Sequence, residues 1–394
     1  MKAQRRNSRP MKKYLFFSLA AFSIVACRRD DDNPGDANND PGNTIIEPVL
    51  PTSLANYSQQ NLPAYYNNGP VAAADNTPAN NPVTDHGATL GRVLFYDKQM
   101  SANNTMACAS CHQTLAGFSD PNTFSLGFEN GLTGRHSMSL ANSRYYANGM
   151  FFWDERAATL EDQVLMPIQD EVEMGMDLDT LVQKLQALGY YDELFTNAFG
   201  SSTITADRMS RAMAQFIRSM VSFNSRYDEG RAQVNNPAAN DFPNFTAEEN
   251  RGKELFFDPA IGCAACHGTD AFIALGGRNN GLDADNTADL GRGGNTGVTA
   301  QEGIFKVGSL RNVEYSAPYM HDGRFATLEE VIEHYNSGVQ NNPNLSPPLR
   351  LPGGGIRRLN LNASDQAALV AFLKTLSDDV IVNDEKFSDP FPDA

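Results

Sequence analysis

Two short motifs combine cysteine and histidine at a spacing that suits redox chemistry. They read Cys108-Ala109-Ser110-Cys111-His112 and Cys263-Ala264-Ala265-Cys266-His267. Two thiols separated by two residues can add across the two vinyl groups of one porphyrin, and the adjacent imidazole then lies beneath the iron as its proximal ligand. The alternatives are a zinc site built from both Cys-x-x-Cys pairs and a redox-active dithiol. Because a histidine follows each pair at the same position, we expect two covalent c-type haems, with His112 and His267 as iron ligands.

The two motifs lie in segments that resemble each other. Residues 90–112 read LGRVLFYDKQMSANNTMACASCH, and residues 251–267 read RGKELFFDPAIGCAACH. Each segment has a glycine, a basic residue, Leu-Phe, an aromatic residue and an aspartate, followed closely by Cys-x-x-Cys-His. This pattern indicates the internal duplication of one supersecondary unit.

Helical periodicity predominates in the rest of the chain, and no window of strict alternation is long enough to indicate a substantial sheet. The helical segments are 159–168, 179–188, 192–199, 205–227, 246–256, 327–335 and 364–376. Capping boxes open two of them, pairing Thr246 with Glu249 and Thr327 with Glu330. We therefore expect a mainly α fold of two cytochrome-c-like haem domains, related by internal duplication and joined by long loops.

The composition limits the classes of partner. The chain has 394 residues, 41% of them hydrophobic, which is enough for roughly two or three domains. The formal net charge is −16, from 31 basic and 47 acidic residues. This balance disfavours nucleic acid, because phosphate binding needs a positive surface. It instead favours long-range attraction of a basic protein.

The N-terminus is typical of an export signal. Lys12 and Lys13 precede an apolar run that is too short to span a bilayer comfortably. The run ends Ile24-Val25-Ala26-Cys27, which resembles a bacterial lipoprotein signal and implies cleavage before Cys27 and lipidation of its sulfur. An uncleaved anchor and a free cysteine are the alternatives. We expect a periplasmic or cell-surface protein held by a lipid anchor only, at the outer membrane because Arg28 rather than Asp follows Cys27.

Most of the chain, from about residue 86 to 377, resembles the bacterial dihaem cytochrome c peroxidases and the related MauG-type enzymes. The phrases that carry the resemblance are LGRVLFYD, CASCH, RHSMSLAN, FFWDERAATLEDQVLMPI, EVEMG, FKVGSLRNV, APYMHDGRFATLEEVIEHYNSG and LVAFLKTL. It implies that the first haem reacts with hydrogen peroxide and that the second receives or stores electrons. A small exported cytochrome c or cupredoxin is the implied electron donor, and the chain is compatible with a homodimer.

The resemblance assigns roles to three residues near the first haem. Trp153 matches the tryptophan that lies between the haems and couples them. Gln163 matches a distal-pocket residue, and Glu173 matches the distal carboxylate, which moves a proton between the two peroxide oxygens. Without the resemblance, Trp153 would be interpreted as a core aromatic residue and Glu173 as a surface charge beside Asp170 and Glu171.

The sixth ligand of the second haem is the most informative assignment. Typical peroxidases of the family supply a methionine fourteen residues after the histidine that matches His321, whereas the MauG-type enzymes supply a tyrosine. The residue at that distance here is Tyr335. A tyrosinate favours ferric or higher states of iron, whereas a thioether raises the potential. Met320 and His334 are the alternative ligands.

Other implied assignments complete the site. Capping of the first iron by His136 is the alternative. Because His136 occupies a position usually held by asparagine in the family, we expect a structural role for it and an open first haem. His321 is expected to hydrogen-bond a haem propionate. A calcium ion between the domains would take the side chain of Asn142 and the carbonyl oxygens of Ser316 and Pro318.

The expected domains follow from these assignments. They are a signal peptide (1–26), an acidic flexible linker (27–80), an N-terminal peroxidatic domain (81–240), a C-terminal electron-transfer domain (241–380) and a tail (381–394). Three functions compete: a peroxidase, a MauG-like oxidase that passes oxidising equivalents to a protein substrate, and a non-enzymatic dihaem electron-transfer lipoprotein. Glu173 and Gln163 argue against the third, because a pure electron carrier has no use for a distal acid–base pair.

Overall fold

Helices joined by long loops form the part of the chain that the computed structural model describes, residues 45–392. The predicted signal peptide, the lipidation site Cys27 and the first part of the predicted linker lie outside the described residues. Between 45 and 392 the only β-structure consists of isolated bridges, and no helix is long and apolar enough to cross a bilayer. The prediction of a mainly α fold is confirmed.

Most of the predicted helices are present. The α-helices are α1 Ala64–Asn67, α2 Gly69–Ala73, α3 Asp85–Tyr96, α4 Cys108–Cys111, α5 Leu160–Gln169, α6 Leu178–Ala187, α7 Tyr191–Phe199, α8 Ala206–Ser219, α9 Arg226–Arg231, α10 Ala247–Phe257, α11 Ala264–His267, α12 Arg292–Thr296, α13 Leu328–Glu333, α14 Ala363–Lys374 and α15 Asp379–Asn383. Both predicted capping boxes form, because Thr246 accepts from the backbone N–H of Glu249 and Thr327 accepts from that of Glu330.

The prediction of one continuous helix over 205–227 is wrong, because this region contains two helices with a break between them. α8 ends at Ser219 and α9 begins at Arg226. Distant side chains take the backbone N–H groups of the residues between them. Asn142 Oδ1 accepts from Ser222 N at 2.8 Å, and Asp378 Oδ2 accepts from the next two N–H groups at 2.9 Å each. These bonds hold the segment extended where it passes from one lobe to the other.

Each lobe is built on one pair of packed helices, and the two pairs repeat the same contact. In the N-terminal lobe α3 crosses α8, and in the C-terminal lobe α10 crosses α14. A Cβ atom on Gly91 would lie 2.1 Å from the carbonyl oxygen of Ala212, and one on Gly252 would lie 1.8 Å from that of Ala368. The glycine of each duplicated segment therefore lets two helix backbones approach closely.

Two separate hydrophobic cores surround these helix pairs. The N-terminal core contains side chains from α3, α5, α6, α7 and α8. The C-terminal core is rich in aromatic rings, with Phe256 and Phe372 centred 5.1 Å apart and Tyr227 and Phe272 centred 4.9 Å apart. Because Tyr227 already belongs to the second core, the change of core falls near residues 220–226, somewhat before the predicted domain boundary at 240.

Both ends of the described chain pack on the lobes. Tyr57 and Tyr66 are buried, so the predicted linker over 27–80 ends before residue 57. At the other end Phe387 enters the N-terminal core, where its ring lies 5.9 Å from that of Phe118 and 6.1 Å from that of Phe216. The predicted tail thus returns from the C-terminal lobe to the N-terminal one, because it carries apolar side chains that the first core buries.

The glycine contacts predict the effect of adding one methyl group. Gly252→Ala should lower the free energy of unfolding by ~1–3 kcal/mol, the usual range for overpacking a buried contact. Gly91→Ala should have a similar effect in the other lobe. Urea unfolding followed by circular dichroism measures both.

Gly134→Ala is the control for these variants. Gly134 is exposed, and a Cβ there meets no atom within 4 Å. We expect its stability to stay within about 0.5 kcal/mol of the unmodified chain. If Gly252→Ala were as stable as Gly134→Ala, the close crossing of α10 and α14 would be contradicted.

Candidate functional site

The N-terminal Cys-x-x-Cys-His motif forms the short helix α4 and the residue that follows it. Neither Cys108 nor Cys111 is in a disulfide. Burial raises the pKa of the Cys108 thiol to about 12, with smaller contributions from Cys111 and Glu173, and burial also lowers the pKa of His112. The His112 Nδ1 lies 3.1 Å from the carbonyl oxygen of Phe118, which leaves Nε2 for a ligand.

The C-terminal motif repeats this arrangement at α11. Cys263 and Cys266 are also free of disulfides, and burial raises the pKa of Cys263 to about 12. The His267 Nδ1 lies 3.0 Å from the carbonyl oxygen of Phe272. Burial lowers the pKa of His267 to about 4, so its imidazole is neutral and can bind a metal through Nε2.

Two phenylalanines that the sequence analysis missed orient these histidines. Phe118 and Phe272 are fully buried and have left-handed backbones, with φ of 63° and 51°. Such a φ is unusual for a bulky side chain and requires support from the surroundings. In each lobe it directs the phenylalanine carbonyl at the histidine ring. The available signal was a phenylalanine six residues after the first histidine and five after the second.

The chemistry of the thiols fits haem better than the two alternatives. A shared zinc site would bring the two cysteine pairs together, but within residues 45–392 no three His, Cys, Asp or Glu side chains form a metal-binding group. A zinc ligand or a reactive dithiol also needs a thiolate, which burial disfavours in both lobes. A thioether to a porphyrin is neutral and suits a buried site. The residues present therefore fit a covalent haem in each lobe.

A large cavity lies beside the C-terminal motif. Its empty volume is about 1670 Å³, including the part open to solvent. The wall is mainly apolar and includes residues from both lobes, among them Trp153, Cys263, Cys266, His267, Lys306, Met320, His321 and Tyr335. Cys263, Cys266 and His267 on this wall would hold a planar, mainly apolar cofactor.

Tyr335 reaches the cavity through an irregular turn. The α-helix α13 continues as one π-helical turn over His334–Gly338, a feature that is frequent at functional sites. Burial raises the pKa of Tyr335 to about 12, and the nearby amide of Asn280 lowers it slightly. The other two candidate ligands are partly occupied. Asn280 Nδ2 lies 3.3 Å from the Met320 sulfur, and His334 Nε2 lies 3.2 Å from the Asn280 carbonyl oxygen.

Trp153 lies where the lobes meet. Its Nε1 donates to the carbonyl oxygen of His136 at 2.7 Å, and the His136 N–H donates to the carbonyl oxygen of His321 at 2.8 Å. The Trp153 and His321 rings are centred 6.5 Å apart, and His321 stacks on Phe305 at 3.7 Å. The backbone of His136 thus joins the tryptophan of one lobe to the cavity wall of the other.

The His136 ring has its own partners. Its Nε2 lies 3.1 Å from Ser119 Oγ, and its Nδ1 lies 3.1 Å from the carbonyl oxygen of Asn122. Both ring nitrogens are engaged, which fits the structural role expected for this histidine rather than iron ligation.

An ion-pair bridge reinforces the junction of the lobes. Arg135 donates to Asp154 at 2.6 Å and, through two nitrogens, to Asp289 at 2.8 Å. The His321 Nε2 lies 3.8 Å from the same Asp289 carboxylate. His321 is buried on the cavity wall, and its pairing with a haem propionate stays a prediction.

Glu173 lies beside the N-terminal motif. It belongs to a turn after α5 that is tied to the preceding loop, because Ala102 N donates to the carbonyl oxygen of Met174 at 2.9 Å. Burial and the nearby Asp170 raise the pKa of Glu173 to about 7, while Arg156 opposes the rise. Glu171, two residues earlier, is exposed. The surface-charge interpretation therefore suits Glu171 and not Glu173.

Gln163 lies on α5, the helix that leads into this turn. It is half-buried, and its amide forms no hydrogen bond to another described side chain or backbone group. The turn folds back on the helix through a bond from Met176 N to the carbonyl oxygen of Ile168 at 2.8 Å. Gln163 and Glu173 thus lie on one continuous segment, α5 and the turn that follows it.

The residues expected to bind calcium have protein contacts of their own. The Asn142 amide accepts from Ser222 N at 2.8 Å and donates to the Tyr66 hydroxyl at 2.8 Å. Ser316 and Pro318 border the C-terminal cavity. Asn142 therefore ties two segments together at the lobe crossing, and the calcium site stays a prediction.

Comparison with known proteins identifies the family. The family model for di-haem cytochrome c peroxidases matches residues 85–235. The methylamine utilization protein MauG of Methylorubrum extorquens is 37% identical over 328 residues, which cover 82% of this chain and 88% of that protein. Cytochrome c551 peroxidase of Nitrosomonas europaea is 31% identical, over 85% of this chain and 93% of that protein.

Solved structures agree with these relatives. A MauG-like protein associated with microbial copper homeostasis superposes with a TM-score of 0.72 at 32% identity, covering 84% of this chain and 99% of that one. The dihaem peroxidase BthA from Burkholderia thailandensis shares the fold, with a TM-score of 0.63 at 23% identity, over 82% of this chain and 92% of that one. The chain belongs to the family of dihaem cytochrome c peroxidases and MauG proteins, which carry two c-type haems.

Proposed function

We propose that the chain is a peroxidase that reduces hydrogen peroxide to two waters, using two electrons and two protons. Peroxide reacts at the haem held by Cys108, Cys111 and His112. Electrons arrive through the C-terminal haem and Trp153. The observation that carries the proposal is a half-buried carboxylate, Glu173, whose pKa of about 7 lies near neutrality and which is near enough to the N-terminal motif to raise the pKa of the Cys108 thiol.

Glu173 is suited to move one proton twice. When bound, the haem supplies the iron that binds peroxide and exchanges electrons. The Glu173 carboxylate takes the proton from the peroxide oxygen nearer the iron and returns it to the departing oxygen. A group with a pKa near the working pH can perform both transfers, because neither protonation state is strongly favoured. Gln163, on the same continuous segment, orients the peroxide by hydrogen bonding.

Other residues position the two centres. The Phe118 and Phe272 carbonyls hold His112 and His267 in one ring orientation and increase the basicity of Nε2. Trp153 is half-buried at the lobe junction, in contact with the wall of the second cavity. It is therefore placed to pass electrons between the centres.

We also propose the setting in which this reaction takes place. Lipidation at Cys27 would hold the protein at the outer membrane, on the periplasmic or cell-surface side. The formal charge of the chain, −16, becomes more negative when cleavage before Cys27 removes basic residues, and it would attract a basic electron donor, a small cytochrome c or cupredoxin. The rate of the reaction with such a donor should then fall as salt is added, because ions screen the attraction.

Glu173→Gln tests the proton-transfer role. The variant keeps the size of the side chain but cannot accept the proton, so the rate constant with peroxide should fall by roughly 10²–10⁴-fold. In the unmodified protein the same rate constant should rise with pH and reach half its maximum near pH 7, because only the ionised carboxylate accepts a proton. Stopped-flow absorbance with excess peroxide measures both effects.

Glu171→Gln is the matched control, because it makes the same change on an exposed neighbour. We expect a rate constant close to that of the unmodified protein. Equal losses in the two variants, or full activity in Glu173→Gln, would contradict the assignment. The dihaem electron-carrier alternative predicts full electron transfer and no peroxide turnover even in the unmodified chain.

A MauG-like oxidase is the second candidate, and Tyr335 is the observation that favours it. A tyrosine oxygen on the wall of the cavity that also contains His267 would stabilise oxidised iron in the C-terminal lobe. Both centres could then hold oxidising equivalents, and a protein substrate rather than a redox donor would supply the electrons. The 37% identity to a MauG protein supports the same arrangement, in which the two centres share oxidising equivalents.

Tyr335→Phe tests this ligand. Loss of an anionic oxygen should change the ferric absorption and electron paramagnetic resonance spectra of one haem and raise its midpoint potential. Tyr319→Phe is the matched control, because Tyr319 lines the same cavity but donates to the carbonyl oxygen of Val313 at 3.1 Å. If Met320→Leu changed the spectrum and Tyr335→Phe did not, the methionine would be the ligand.

A further inference from the structure

One buried amine on the wall of the C-terminal cavity lacks an anionic partner. Lys306 is 4% exposed, and its backbone N–H donates to the carbonyl oxygen of Trp153 at 2.7 Å. Its Nζ forms neither a hydrogen bond nor an ion pair with any residue between 45 and 392. Lys306 does, however, line the cavity. A buried ammonium group without an acceptor is costly, so the position calls for a partner from within the cavity.

The immediate neighbours of Lys306 do not provide that partner. Nζ lies 4.3 Å from the centre of the Tyr146 ring and 4.2 Å from that of Phe151. The two aromatic rings attract the ammonium group through cation–π interaction, but they offer no oxygen or nitrogen atom as a hydrogen-bond acceptor. Burial lowers the pKa of Lys306 to about 7, and only Glu155 acts in the opposite direction.

The nearby Glu155 carboxylate already has three donors. Tyr146 Oη donates to it, Asn148 Nδ2 donates at 3.0 Å and Arg292 Nη1 donates at 2.9 Å. The positive charge of Arg292 balances that of the carboxylate. Glu155 is therefore committed to its own network, and Lys306 Nζ forms no ion pair with it.

A second buried lysine in the same lobe provides a comparison. Lys253 is 1% exposed and also lies over an aromatic ring, with Nζ 5.0 Å from the centre of Phe242. Its Nζ donates to the carbonyl oxygens of Pro237 and Asn240, at 2.8 Å each. The fold thus satisfies Lys253 with its own backbone but leaves Lys306 open toward the cavity.

We propose that Lys306 binds a carboxylate presented from inside the C-terminal cavity, namely a propionate of the haem attached to Cys263 and Cys266. The inference rests on the proposed two-haem function. A lysine supplies a compact positive charge that pairs with one carboxylate oxygen. Arg278, which also lines this wall, donates through Nη1 to the carbonyl oxygen of its neighbour Gly277 at 2.8 Å.

This pairing has a consequence for the redox chemistry. A positive charge beside the haem favours the ferrous form, since reduction adds a negative charge. Lys306 therefore acts as a positioning residue that raises the midpoint potential of the C-terminal haem. It does so next to the backbone of Trp153, where electrons are proposed to leave.

Lys306→Met in the purified dihaem protein tests the inference. In Lys306→Met the midpoint potential of the C-terminal haem should fall by about 59 mV. For a one-electron couple this shift lowers the ratio of ferrous to ferric iron by roughly tenfold at the midpoint potential of the unmodified haem. The N-terminal haem should keep its potential. Lys253→Met is the matched control, which removes a buried lysine of the same lobe and should lower stability without moving either potential. Spectroelectrochemical titration measures all of these values.

The outcomes separate this inference from the proposed function. Two bound haems with unchanged potentials in Lys306→Met would overturn the inference alone. Fewer than two haems in the unmodified protein would overturn the proposed function. The midpoint potential of the C-terminal haem is also measured with added acetate. If acetate changed it in the unmodified protein but not in Lys306→Met, Lys306 would bind a soluble anion, and the pairing with a propionate would be overturned. If Lys306→Met fails to fold, Lys306→Gln removes the same charge and should show the same fall.

Discussion

The backbone of His136 is the connection on which the arrangement of the two lobes depends. Its carbonyl oxygen accepts from the Trp153 indole, and its N–H donates to the carbonyl oxygen of His321. This residue therefore ties the only tryptophan to the wall of the C-terminal cavity. The Arg135 bridge from Asp154 to Asp289 holds the same junction electrostatically. These bonds add to the extended segment over 220–225 and to the returning C-terminal segment, and they give Trp153 a defined position between the lobes.

Local patterns were sufficient to predict much of this structure. Helix periodicity and capping boxes depend on neighbours a few residues apart, so α10 and α13 were predicted with their caps. The duplicated segments likewise indicated two related lobes. Features that depend on distant partners were not predictable. The break after Ser219 depends on acceptors from Asn142 and Asp378, and the return of Phe387 to the first core depends on shape that no local pattern encodes.

The candidate site divides in the same way. The motif residues were evident from spacing, and Tyr335 was reached by counting from His321 along a resemblance. The carbonyls of Phe118 and Phe272 were not evident, because a backbone oxygen has no signature in the sequence. That Lys306 Nζ forms no ion pair within residues 45–392 was also evident only from the packed structure. Burial has the same effect on Glu173 in the N-terminal lobe and on Lys306 and Tyr335 in the C-terminal lobe: it shifts each pKa so that the neutral form is favoured. The charges to which these groups respond would then come from a bound cofactor and its substrate.

The central claim is that two haem sites act as one unit across the His136 junction. Its most direct test is to mix the fully ferric protein, prepared without residues 1–27, with one equivalent of hydrogen peroxide in a stopped-flow spectrometer. The account predicts rapid bleaching of the Soret band without prior reduction, with the spectra of both haems changing in the same kinetic phase. Bleaching confined to one haem, with the other haem unchanged, would contradict it, because the two sites would then not respond together. No reaction until one electron has been added would contradict the open first haem and would make the chain a reductively activated peroxidase.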